Sequence, residues 1–223
     1  MHRSSPAALL RKGKSKVCGR VVSLALTGGG DPLALDPTRR QAAADFLLGR
    51  SWHPTGQAKR RHLLALLRSR GHDTVVESGT YRGDTVAYLA SHARRVVSVE
   101  LDATLFQAAK TRFESTPGVE IRWGDALEEI PKIVEALDSP PIVWLDGHFS
   151  GVGTASGREP EPAASILQRL GPVTPIGSTI VIDDLRLFGT PEYADLYDLI
   201  SAARTAFPEA RIRTGLDSLV IEL

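Results

Sequence analysis

The feature that most constrains this chain is a regular alternation of short β-branched runs with helical stretches, beginning after residue 71. Thr74-Val75-Val76 precedes a helical span from Thr85 to His92, and Val96-Val97-Ser98-Val99 precedes one from Ala103 to Phe113. Val119-Glu120-Ile121 leads into Ala126 to Leu137, Ile142-Val143-Trp144-Leu145 into Ala163 to Leu170, and Thr179-Ile180-Val181-Ile182 into Pro191 to Phe207. Arg211-Ile212-Arg213 and Ser218-Leu219-Val220-Ile221 come last. Strands alternating with helices build βαβ units, in which a parallel sheet is covered on both faces. The nearly continuous apolar runs at 142–145 and 179–182 suit central strands buried on both sides. Only residues 214–217 or so join the last two strands, too few for a crossover, so these are predicted to pair antiparallel.

The expected architecture is therefore α/β: a Rossmann-like, doubly wound, seven-stranded and mostly parallel sheet with a C-terminal antiparallel hairpin, over residues 72–223. Residues 36–71 read as a helical N-terminal cap. Asp36-Pro37-Thr38 starts a helix that runs through Ala42, Phe46 and Leu47 to Gly49, and a second helix follows Thr55, carries Leu63, Leu64, Leu66 and Leu67, and stops at Gly71. Residues 1–35 read as a basic flexible segment: Arg3, Arg11, Lys12, Lys14, Lys16 and Arg20 precede the first acid, Asp31, and Gly28 to Gly30 form a hinge. The patch Val21 to Leu26 is short for a signal-peptide core, and Thr27-Gly28-Gly29-Gly30 is not a cleavage site, which disfavours export.

Composition narrows the class further. With 42% hydrophobic residues and 27 Lys+Arg against 26 Asp+Glu, the chain has the material for a core and no excess charge to keep it disordered. No run approaches the roughly 18 apolar residues of a membrane helix. The single cysteine, Cys18, allows no intrachain disulfide, so a cytoplasmic location is expected. A net charge of +1 offers no global field to nucleic acid, and a small-molecule partner is expected instead, with a homo-oligomer admitted.

Ligands of open α/β sheets bind beyond the carboxyl ends of the strands, so the residues there matter most. Glu77-Ser78-Gly79-Thr80-Tyr81-Arg82-Gly83-Asp84 follows the first strand, Glu100 and Asp102 the second, and Gly124-Asp125 the third. Asp146-Gly147-His148 follows the fourth, and Asp183-Asp184 the fifth, so every one of these ends carries a carboxylate. Gly79 and Gly83 let the backbone turn sharply and approach a ligand at the next helix. In a dinucleotide fingerprint the position of Glu77 would be glycine; a carboxylate there repels phosphate and attracts a cation, pointing to a positively charged nucleoside ligand. Glu100 stands where an acid accepts from ribose hydroxyls; the alternative is a pair with Arg94 or Arg95. Asp125 is open to two roles, receiving an adenine amino group and capping the helix that follows.

These residues together resemble the class I S-adenosylmethionine-dependent methyltransferases. The resemblance covers about residues 72–223 and rests on Glu77-x-Gly79-x-x-x-Gly83, Glu100, Gly124-Asp125 and Asp146. It implies that Glu77, Gly79, Thr80, Tyr81 and Gly83 hold the methionine part of the cofactor, Glu100 and Leu101 the ribose side, and Asp125 and Ala126 the adenine, with Asp146 also near the cofactor. Within that class, Trp144-Leu145-Asp146-Gly147-His148 with Ile182-Asp183-Asp184 is similar to the metal-dependent sugar O-methyltransferases of macrolide and aminocoumarin biosynthesis. That likeness implies magnesium held by Asp146, Asp183 and Asp184. His148 departs from it, since those enzymes often carry another acid there.

Three carboxylates without a nearby cysteine form a hard oxygen set suited to Mg²⁺. The same charge can instead be met by a raised pKa or a cationic side chain, for which Arg186 is close in sequence. A bound metal would lower the pKa of a substrate hydroxyl, and His148 would act as general base; its alternatives are a hydrogen bond to the loop 149–153 and a metal ligand. Residues 149–160, rich in Gly and Ser, read as a lid. Trp52, Tyr81 and Trp144 either line the pocket or pack. The expected function is magnesium-assisted O-methylation of a small polyhydroxylated molecule, a sugar or natural product. The competing readings are a catalytically silent binding protein of the same fold, a nicotinamide-dependent oxidoreductase and an RNA methyltransferase.

Overall fold

The computed structural model describes residues 54–146, 162–191 and 193–223. The basic segment, the helix read at 36–49, Cys18 and Trp52 lie outside the described residues. So do Gly147, His148 and the lid read at 149–160.

Helix α1 (Gly56–Arg70) leads into β1 (Thr74–Ser78), α2 (Asp84–Ala90), β2 (Arg95–Glu100) and α3 (Ala103–Phe113). There follow β3 (Val119–Trp123), α4 (Ala126–Glu135), β4 (Ile142–Leu145), α5 (Ala163–Leu170) and β5 (Thr179–Ile182). A 3₁₀ turn (Leu185–Leu187), α6 (Leu196–Ala206), β6 (Arg211–Gly215) and β7 (Ser218–Glu222) complete the order. The body from Lys59 to Leu223 is one compact unit.

The seven strands run in the order β3-β2-β1-β4-β5-β7-β6. Strands β1 to β5 pair in parallel, whereas β7 pairs antiparallel with both β5 and β6. This is the expected sheet, and the short Gly215–Ser218 connection is the reason for its one hairpin. Strand order reverses between β1 and β4, which lie side by side, and in open α/β sheets ligands bind at such a point, beyond the carboxyl ends of the strands.

Side-chain alternation along each strand divides the core in two. Val76, Val97, Val143, Ile180 and Ile221 face α4, α5 and α6, meeting Ile130, Leu167 and Leu199. Val75, Val96, Ile142, Trp144 and Val220 face α1, α2 and α3, meeting Leu63, Leu66, Leu89 and Phe113. The spacing of Leu63, Leu64, Leu66 and Leu67 puts all four on one side of α1, which is how that helix joins the sheet's second face.

Several boundaries differ from expectation. Strand β1 continues through Glu77 and Ser78, whose partners are Ser98 and Val99 on one side and Trp144 and Leu145 on the other. Glu77 is thus a strand residue on the α1 face, in line with Val75, rather than a loop acid. The last long helix begins at Leu196, not near Pro191, because Asp195 caps it by accepting from the Tyr197 N–H. The turn at Leu185–Leu187 had no periodic signature, being a single turn.

Candidate active site

The glycine loop between β1 and α2 is built by backbone conformations that exclude most residues. Gly79 has φ 83° and Gly83 φ 76°, both left-handed. At Gly83 a Cβ would stand 2.5 Å from the Phe113 ring, so the close approach of loop and α3 depends on the missing side chain. Tyr81 is also left-handed at φ 49°, a conformation that costs a residue with a side chain. That twist aims the Tyr81 N–H at Glu100, 2.8 Å from Oε2.

Glu100 receives a second backbone donor at Oε1, the Asp102 N–H at 2.9 Å. The pair fixes the plane of this buried carboxyl at the end of β2 and leaves lone pairs for another donor. Arg94 instead pairs with Asp73 and Arg95 with Glu120, so neither arginine engages Glu100. Asp102 caps α3 by accepting from Thr104 and Leu105.

Glu77 corrects an expectation. Its position in the motif predicts a negative charge that repels phosphate. It is only 2% exposed, and burial, with a further push from Glu100, raises its pKa to about 8 despite the hydrogen bond from Ser98. The carboxyl is therefore largely neutral near pH 7. Ser98 Oγ stands 2.6 Å from Glu77 Oε2 and 2.7 Å from Thr80 Oγ1, linking strand β1, strand β2 and the glycine loop in one polar chain. Ser98 was missed because a lone serine in an apolar strand reads as filler.

At the next strand end, Asp125 caps α4 by accepting from Leu127 at 2.9 Å, as one of its two expected roles. Ala126 opens that helix, part-buried beside it. Leu101 turns its carbonyl to the Trp123 Nε1–H at 3.0 Å, leaving the Trp123 side chain beside Phe106 and 62% exposed. Tyr81 is exposed and Trp144 is core, so of the three aromatics considered Trp144 packs.

At the ends of β4 and β5, Asp146, Asp183 and Asp184 come together, each offering an oxygen within 4.8 Å of the others. The Asp146 N–H donates to Ser78 Oγ, which ties the fourth strand end to the first. Asp184 sits at φ 52° at the head of the 3₁₀ turn. The cluster also holds a residue that no motif in the sequence singles out. Lys59, on the first turn of α1, places Nζ 2.5 Å from Asp183 Oδ2 and 2.6 Å from Asp184 Oδ1. Arg186 completes the set, donating to Asp184 Oδ1 at 2.7 Å and to Asp217. Lys59 had a signal: it lies four residues before Leu63 and seven before Leu66, so it belongs to the stripe of α1 that faces the sheet.

The charges sort themselves accordingly. Desolvation, and then Asp183 beside it, pushes the Asp146 pKa well above the carboxylate range, and a side-chain hydrogen bond joins the two groups. Burial also raises Asp183, against the pull of Lys59. For Asp184, burial is outweighed by hydrogen bonds from Lys59 and Arg186, which hold it ionised to lower pH than usual. For Lys59, burial is outweighed by Asp183 and Asp184, and the ammonium is held more firmly than in water.

The donor type and spacing of the three carboxylates suit a hard cation, but the surroundings do not. A magnesium ion takes oxygens at about 2.1 Å. One bound to both Asp183 Oδ2 and Asp184 Oδ1 would fall in the space where the Lys59 ammonium meets the same two atoms. With Lys59 in place, the set does not fit the ion that the resemblance implies.

No family model matches the chain. Over 69 residues it is 39% identical to a probable ribosomal RNA small subunit methyltransferase A of Methanosarcina mazei, covering 29% of this chain and 26% of that protein. Over 119 residues it is 34% identical to a protein-L-isoaspartate O-methyltransferase of Petrotoga mobilis, covering 52% of this chain and 51% of that protein. The chain thus spans a quarter to a half of the length of these curated relatives. Among solved structures it is similar to the O-methyltransferase TomG of Streptomyces achromogenes, involved in tomaymycin synthesis and solved with S-adenosylmethionine. The TM-score is 0.50 at 17% identity, over 90% of this chain and 93% of that one. No helix among the described residues is long and apolar enough to cross a membrane.

Proposed function

From a chain with the class I S-adenosylmethionine-dependent methyltransferase fold, we propose a methyltransferase that carries the sulfonium methyl group to a hydroxyl oxygen of a small polyhydroxylated molecule. The observation that supports it most is Glu100: a buried carboxyl held by two backbone amides, one of them on the glycine loop, beside the strand-order reversal. An acid so held accepts from a ribose without having to be ordered first.

In this reading the glycine loop, with Gly79, Thr80 and Gly83, receives the methionine part, Glu77 and Tyr81 flank it, Leu101 lies with Glu100 on the ribose side, and Asp125 and Ala126 bound the adenine. The acceptor lies toward Asp146, Asp183 and Asp184. Its oxygen attacks the methyl carbon as the carbon–sulfur bond breaks, the bonding pair stays on sulfur, and the acceptor's proton passes to a base, for which His148 is proposed. Lys59 and Arg186 keep the carboxylate end near charge balance, and no step is routed through a divalent ion.

Titration with S-adenosylhomocysteine tests the cofactor half. Saturable heat and a raised melting temperature are expected, and neither at millimolar ligand would sink the proposal. Labelled S-adenosylmethionine tests the acceptor half: label transferred to sugars, polyols or catechols is expected. Transfer to RNA and to no small molecule would replace the acceptor class.

A further inference from the structure

The acidic cluster that the resemblance assigns to magnesium already contains a positive charge from the chain itself. Lys59 Nζ bridges Asp183 and Asp184 at 2.5 and 2.6 Å, with its side chain 16% exposed. The contact is not a chance meeting of surface groups. The lysine stands on the sheet-facing stripe of α1, and the leucines that continue that stripe, Leu63, Leu66 and Leu67, are anchored in the core with Val181 and Val220. Val181 and Asp183 point to the same sheet face, so the packing that seats α1 also delivers the ammonium to the carboxylates.

We infer that Lys59 is the resident cation of the Asp146–Asp183–Asp184 cluster, and that it excludes a divalent ion from it. Two facts of the site point the same way. The oxygens that a metal would use are those that the ammonium engages, and an ion about 2.1 Å from each would sit against a like charge in a poorly hydrated space. Arg186 adds a second cation on Asp184 Oδ1, so the oxygen that a metal would share is already met by two positive side chains. The exclusion is a property of the cluster, independent of whether the chain transfers methyl groups.

Mn²⁺ serves as the probe, since its bound and free forms are distinguished by electron paramagnetic resonance. The full chain is compared with Lys59→Met, which keeps length and loses charge, and with Lys59→Arg, which keeps charge. Wild type and Lys59→Arg are expected to bind Mn²⁺ no better than the Asp183→Asn/Asp184→Asn double variant. Lys59→Met is expected to bind it at least tenfold more tightly than wild type. A folded Lys59→Met that binds Mn²⁺ no more tightly than wild type overturns the inference. So does a wild-type chain whose melting temperature rises with millimolar MgCl₂, a result that needs no variant to fold. S-adenosylhomocysteine binding, measured in the same samples, reports separately on the methyltransferase proposal and can fail while the exclusion holds.

Discussion

Replacing Glu77 with Gln should remove a pH dependence of stability that the wild-type chain carries. The Glu77 pKa is about 8 in the folded protein against 4.5 for the free side chain, because burial disfavours its ionised form. Below pH 4.5 or so both folded and unfolded chains hold the proton and this group contributes nothing to pH dependence. Between that pH and about 8 the folded chain retains a proton that the unfolded chain releases, so stability falls as pH rises; above about 8 the full penalty is present. At about 1.4 kcal/mol per pKa unit, the whole shift is worth on the order of 5 kcal/mol. Rather more than half of it, about 3 kcal/mol, develops between pH 6 and pH 9 by the same linkage. Gln cannot ionise, yet its amide still accepts from Ser98 Oγ, so it keeps the polar chain to Thr80. Urea unfolding of both proteins at the two pH values isolates this one group, since all others titrate alike in both. The loss from pH 6 to pH 9 should be smaller in Glu77→Gln than in wild type by about 2 to 3 kcal/mol. Parallel profiles would mean that Glu77 ionises freely, and the assignment of a neutral buried carboxyl would be refuted.

Other perturbations follow from the same geometry. Glu100→Ala leaves the amides of Tyr81 and Asp102 without their acceptor, and S-adenosylhomocysteine affinity measured by calorimetry should fall at least tenfold, about 1.4 kcal/mol; an unchanged affinity removes Glu100 from the cofactor. Asp184→Asn removes the carboxylate that Lys59 and Arg186 share at the acceptor end, and should lower turnover at least tenfold while leaving cofactor affinity within a few-fold; a parallel collapse of both contradicts the separation of cofactor and acceptor ends. Gly83→Ala drives a Cβ against the Phe113 ring at a left-handed position and should destabilise by about 1 to 3 kcal/mol, seen as a lowered melting temperature. Ile180→Ala, at a fully buried site between β5 and its helices, should lose about 2 to 5 kcal/mol in urea unfolding.

Local pattern by itself determined the strands, the helices and the acids that end the strands. Apolar alternation and runs follow from the burial each segment must reach, so Thr74 to Ile221 could be divided into elements without knowing what each one touches, although the ends of β1 and of the last helix shifted. The hairpin was legible too, because a connection of a few residues admits one pairing direction. Asp125 as a cap was readable for the same reason, since its partner is two residues away.

Tertiary structure alone decided which charge meets which. Lys59 and Asp183 are separated by 124 positions and meet only because β5 lies two strands from β1 under the same helix. Arg94 and Arg95 were available to Glu100 by proximity along the chain, but β3 and the loop before β1 took them instead. The neutral state of Glu77 was equally out of reach, since ionisation answers to the water excluded around a group and not to its neighbours in sequence. Hydrophobic periodicity is written within a dozen residues, whereas electrostatics is settled by whatever the folded topology brings within a few ångströms.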